Sequence, residues 1–106
     1  MPKLIDSRTI VEVPTETIEG GVIKIYDGLL AADVENLDDL SGMHRTFNLL
    51  LRLIKEWNLE DEDGQPLPVT LENVKKLNLK EVLTIFSKVG ITKDFLANLE
   101  SQGGSS

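Results

Sequence analysis

Residues 43–57 read MHRTFNLLLRLIKEW, and the fold turns on how they are read. Met43, Phe47, Leu50, Ile54 and Trp57 step by four, three, four and three, the spacing of one face of an α-helix. Leu49, Leu51 and Leu53 widen that stripe beyond a narrow seam, so such a helix has to be contacted on more than one side. The spacing therefore predicts one central helix over 43–57, with the remaining elements arranged around it.

On the N-terminal side, LLAADVENLDDLSG (29–42) places Leu29, Leu30, Val34, Leu37 and Leu40 at helical spacing, with Gly42 placed to stop the helix. Before it come two stretches of strand character. TIVEV (9–13) sets Thr9, Val11 and Val13 on one face and Ile10 and Glu12 on the other, and Pro14 ends it. GVIKIYD (21–27) sets Ile23 and Ile25 against Val22, Lys24 and Tyr26. The intervening TETIEGG, with Gly20 and Gly21, suits a hairpin connection. Two strands alone are marginal in water, so the hairpin must lie on helices or join another chain's sheet. Residues 1–8 read as a loose arm.

On the C-terminal side, WNLEDEDGQPLP (57–68) joins the only Trp to four consecutive acids, a Gly and two prolines. Thr70 can then cap a short helix, LENVKKL, with Val69 and Val74 at the positions of a hydrophobic staple. Asn78 can cap LKEVLTIFSKV, with Glu81 placed to return a bond to that cap and Leu77 and Val82 as a second staple. Val82, Ile85, Phe86 and Val89 form its buried stripe, and Gly90 ends it. Thr92 caps a last short helix carrying Phe95, Leu96 and Leu99. The expectation is an α+β fold, mainly α, in which an N-terminal antiparallel β-hairpin packs with four or five helices. It forms one globular domain over 1–100, followed by a disordered tail, 101–106.

The bulk properties narrow the function. A chain of 106 residues suits one domain. Its net charge of −7 repels phosphate backbones and anionic membrane surfaces, which argues against nucleic-acid and membrane partners. No cysteine is present, so disulfides, thiolate metal sites and cysteine nucleophiles are excluded. No apolar run approaches the length of a membrane helix and no signal-peptide core opens the chain, so a soluble cytoplasmic protein is expected.

Tests for chemistry fail one after another. With Gly64 aligned to the sixth position of an EF-hand loop, Asp61 and Asp63 fall correctly, but Leu59 and Thr70 occupy the two terminal ligand positions. The loop is better read as a hydrated turn stiffened by Pro66 and Pro68. His44, the single histidine, cannot build a usual zinc site without cysteines. EGGV lacks the features of a phosphate loop. Asp33, Glu35, Asp38 and Asp39 read as a solvated face. No catalytic residue, metal or cofactor is assigned, and the chain is expected not to be an enzyme. What remains is apolar surface. The plain reading closes it into one core; the functional reading gives part of it to a partner helix or a second copy. On that reading the partner-facing residues are Phe47, Leu50, Leu51, Ile54, Trp57, Phe86 and Phe95.

One longer run carries a resemblance. LLLRLIKEWNLEDEDGQPLPVTLENVKKLNLKEVLTIF resembles a segment of the small tail assembly chaperones of long-tailed bacteriophages (siphophages). There a Leu-rich helix ends in Trp-Asn, here Trp57 and Asn58. An Asp-x-Asp-Gly turn follows, here Asp61, Asp63 and Gly64. Then come a Pro-rich exit, Pro66 and Pro68, and a Thr-x-Glu-Asn start of the next helix, Thr70, Glu72 and Asn73. The resemblance covers about residues 45–90. It implies a non-enzymatic chaperone in the cytoplasm of the bacterial host. Its partner would be the long helical tape-measure protein, kept soluble while tail-tube subunits polymerise around it. The family's members are generally absent from the finished particle. Self-association is a further expectation. Two other classes stand beside this one: a structural tail or connector component, and a small acidic regulatory binding protein.

Overall fold

The computed structural model describes residues 2–35, 40 and 42–91. Strand β1 spans Ile10–Pro14 and strand β2 spans Val22–Tyr26; they pair antiparallel, with Val11 opposite Ile25 and Val13 opposite Ile23. The alternation does what the sequence suggests. Val13, Ile23 and Ile25 are buried on one face, while Ile10 and Glu12 are exposed on the other. The connection is closed by Thr15, whose N–H donates to the Gly21 carbonyl at 2.9 Å and whose hydroxyl donates to the Ile18 carbonyl. Gly21 sits in this corner because nothing larger fits. A Cβ there would strike the Thr15 side chain and come within 3.2 Å of Leu59 Cδ2.

Helix α1 is a short turn, Ala31–Glu35, and helix α2 spans Gly42–Leu53. The expected central helix over 43–57 is corrected here. It stops at Leu53, and Ile54–Trp57 is a third strand, β3, paired antiparallel with β2. Ile54 faces Ile25, Glu56 faces Lys24 and Trp57 faces Ile23, so Lys55 is an extra residue that makes a β-bulge. The bulge explains the misreading. In a regular strand, residues three apart lie on opposite faces; with one residue bulged, Ile54 and Trp57 share the core face at a spacing that also fits a helix.

The mainly helical reading is corrected with it. The protein is an α+β domain built on a three-stranded antiparallel sheet in the order β1-β2-β3. Among the described residues there are four helices, and two of them are a single turn long or little more: α1 and α3, Leu71–Val74. Helix α4 spans Leu79–Lys88. The expected last helix with Phe95, and the tail, lie outside the described residues.

Both expected caps of α3 and α4 form. Thr70 Oγ1 accepts from Asn73 N at 3.2 Å, and Asn78 Oδ1 accepts from Lys80 N at 2.9 Å. At the far end of α4, Gly90 N–H donates to the Ser87 carbonyl at 3.2 Å and Ile91 N–H to the Phe86 carbonyl at 2.8 Å, the paired bonds of a Schellman stop. The returned bond from Glu81 to its own cap is corrected: the Glu81 side chain leaves its helix and accepts instead from Glu16 N at 2.7 Å and Thr17 Oγ1 at 3.1 Å in the hairpin connection. One buried cluster joins these elements: Val13, Ile23 and Ile25 from the hairpin, Leu49, Leu50 and Leu53 from α2, Ile54 from β3, Val74 from α3, and Val82, Ile85 and Phe86 from α4.

Candidate functional site

The apolar stripes that suggested a partner surface are largely spent on the core. Leu50, Ile54 and Phe86 are buried at 5% exposure or less. Phe47, Leu51 and Trp57 are half-buried and pack against that cluster. Phe95 lies outside the described residues. Trp57 is further fixed by its indole N–H, which donates to the Leu67 carbonyl at 2.7 Å. Its neighbour Asn58 clamps the same corner. It accepts from Val22 N at 2.7 Å and donates to the Gly20 carbonyl at 3.1 Å. The structure thus brings six of the seven expected residues into or onto one core, where their first role is structural.

The apolar side chains left in water are others. On α4 the inward face is Val82, Ile85 and Phe86, whereas Leu79 and Leu83 point out at 59% and 40% exposure. They stand four residues apart and so form one ridge along the helix. The stretch of chain that carries this ridge is basic in sequence. From residue 73 to 91 the chain carries Lys75, Lys76, Lys80 and Lys88, all exposed, and a single acid, Glu81, which is buried. On a protein of net charge −7 this is a local reversal of sign. The sequence held the signal. Leu79 and Leu83 are off the stripe of Val82, Ile85, Phe86 and Val89, and between Glu72 and Asp94 the chain carries one acid, Glu81. Further exposed apolar residues are Met43 on α2, Ile18 in the hairpin connection, Ile10 on β1, Leu30 before α1, and Leu4 and Ile5 ahead of β1.

Several titratable groups are engaged in structure. In the acidic loop, Asp61 Oδ1 accepts from Asp63 N at 2.8 Å and Gln65 N at 2.9 Å, and Gly64 takes the left-handed conformation at φ +80° that the turn requires. Asp33 lies 3.6 Å from Arg8 and 3.5 Å from Arg52, tying the segment before β1 to α1 and α2. The Arg8 guanidinium stacks over Tyr26 at 4.1 Å from the ring centroid. Its hydrogen bond to Asp6 holds that carboxyl down at about 2. The Thr9 hydroxyl and N–H hold Asp27 below its ordinary value. Across the outer face of the sheet, Lys24 lies between Glu12 at 3.9 Å and Glu56 at 3.3 Å, an exposed row that contributes little stability.

Among the described residues, no group of three or more His, Asp or Glu side chains is placed to hold a metal ion, and no helix is long and apolar enough to cross a membrane. His44 is exposed on α2. The arrangement offers surfaces for binding: an apolar ridge on α4, within a lysine-rich stretch of chain, and an acidic loop between Trp57 and Thr70. A scan against protein-family models, a search of curated proteins and a search of solved structures each found no match to this chain.

Proposed function

We propose that this chain is a non-enzymatic assembly chaperone of a long-tailed bacteriophage. It acts in the cytoplasm of the bacterial host and holds the tape-measure protein soluble while tail-tube subunits polymerise around it. The resemblance over residues 45–90 supports the reading. The observation that carries it is the outer face of α4, where Leu79 and Leu83 stay exposed within a lysine-rich stretch of the chain. An elongated helical client presents a long apolar face that aggregates when bare. A short helix offering an apolar ridge can lie along such a face, as in helix-in-groove recognition. The lysines favour a client segment whose apolar face is flanked by acids. The acids elsewhere on the chain keep the pair apart from other pairs.

Co-expression with the tape-measure protein tests the proposal. The soluble yield of the client should rise with the wild-type chain. It should fall back to the level without the chain for Leu79→Asp/Leu83→Asp, exposed positions where substitution changes stability by only about 0.5 kcal/mol each. A client that precipitates equally with and without the wild-type chain would remove the central claim. Recovery of the chain from purified particles would replace it with a structural tail component.

A further inference from the structure

Two features remain outside this reading, and they fit each other. The first is the segment before β1. Leu4 and Ile5 project fully or mostly into water, at 104% and 70% exposure, next to Lys3. The base of this arm is fixed. Arg8 binds Asp6 through two side-chain hydrogen bonds of 3.0 and 2.8 Å, reaches Asp33 at 3.6 Å and stacks on Tyr26. The second is an apolar crevice of about 120 Å³ lined by Ile18, Trp57, Leu59, Leu67 and Leu77. Its size is near that of the roughly 150 Å³ apolar cavities that take up a benzene, which suits a branched aliphatic side chain. Glu60, Asn73 and Lys76 complete its lining, and Glu60 and Lys76 also border the hollow along Asp61, Glu62 and Asp63.

The arm cannot fill its own crevice. It leaves the sheet where Thr9 meets Asp27, whereas Ile18 and Leu59 lie at the other end, where Thr15 meets Gly21. Thr9 to Thr15 is six residues of strand, about 20 Å at ~3.3 Å per residue. From the clamp at Arg8 to Leu4 is four residues, a reach of at most roughly 14 Å when fully extended. We infer that the Leu4–Ile5 arm of one molecule docks into the Ile18–Trp57–Leu59 crevice of a second copy, with Lys3 against the acidic loop beside it. The charges match in sign: the arm carries Lys3, and the loop carries Glu60, Asp61, Glu62 and Asp63 in a row. Arm and crevice are different surfaces, so the contact is head-to-tail. Each joined pair leaves one free arm and one free crevice, and association continues into a ring or an open chain.

Two variants test this, each changing exposed side chains: Leu4→Asp/Ile5→Asp on the arm and Ile18→Asp at the crevice. Light scattering after size exclusion, at concentrations up to about 1 mM, should give a mass above the monomer for the wild type that rises with concentration. Emission of Trp57, the only tryptophan, should shift to the blue alongside it. Each variant alone should stay monomeric with a wild-type circular dichroism spectrum. An equimolar mixture should form a species of two chains and nothing larger, because one intact arm then meets one intact crevice. The inference is overturned if the wild type stays monomeric over this range. It is equally overturned if the arm variant associates like the wild type, or if the mixture stays monomeric while the wild type associates. None of these readouts involves a client, so they stand apart from the chaperone test.

Discussion

A carboxylate three residues after an Asn cap ordinarily reaches back to that cap, and local spacing alone gave Glu81 this role. The fold uses it differently. Glu81 is 2% exposed and accepts from Glu16 N and from the Thr17 hydroxyl, fastening the hairpin connection onto the first turn of α4. A carboxylate also suits that position near a helix N-terminus. No local pattern could show this, because the partners are more than 60 residues away along the chain. Glu81→Ala removes a buried acceptor from two part-buried hydrogen bonds and should cost about 1–3 kcal/mol in urea denaturation. Glu81→Gln should fall between it and the wild type, since its amide nitrogen turns a donor toward a donor. A cost below about 0.5 kcal/mol for Glu81→Ala, the level of an ordinary surface substitution, would return Glu81 to a purely local role.

Asp6 gives a second residue-scale expectation. Its folded value of about 2 lies below the ordinary 3.8, and the Arg8 hydrogen bond is the main cause. A lowered carboxylate pKa means that the contact is complete above about pH 4 and is lost as pH falls toward 2. Arg8→Gln should return Asp6 to near 3.8 in an NMR titration of the side-chain carboxyls. Asp27 should stay low in the same variant, because Thr9 is the chief cause of its shift.

Among the elements, legibility followed how local each signal was. The hairpin was readable because alternation over Val11, Val13, Ile23 and Ile25 has no helical counterpart. The Thr70 and Asn78 caps and the Gly90 stop were readable because each acts within a few residues. Strand β3 was not, because the Lys55 bulge puts Ile54 and Trp57 on one face at helical spacing. In the candidate site, periodicity alone could not tell a stripe that closes the core from one that meets a partner, and Leu50 and Ile54 are buried in the core. An extra Ala between Glu56 and Trp57 should turn Trp57 to the outer face and break its bond to the Leu67 carbonyl. The expected loss is about 2–4 kcal/mol, in the range of removing much of a large side chain from a core. Deleting Lys55 removes the bulge yet leaves Ile54 and Trp57 on the same face, so it should cost distinctly less. The reverse order in chemical denaturation would argue that residues 54–57 continue the helix.

Over the whole molecule, the distribution of charge says more than its sum. The acids run through the segment from Glu56 to Glu72, while the strip from 73 to 91 exposes four lysines around Leu79 and Leu83. The proposed chaperone role rests on that division. On that proposal a client helix would lie on the Leu79–Leu83 ridge, and the acidic remainder would keep the complex in solution. The measurement that bears on it most directly is NMR mapping of the labelled chain with an amphipathic, acid-flanked helical segment of the tape-measure protein. Amide shifts should cluster on 76–84 around Leu79 and Leu83, weaken with added salt and vanish for Leu79→Asp/Leu83→Asp. No shifts at all, or shifts confined to the outer face of the sheet at Glu12, Lys24 and Glu56, would contradict it.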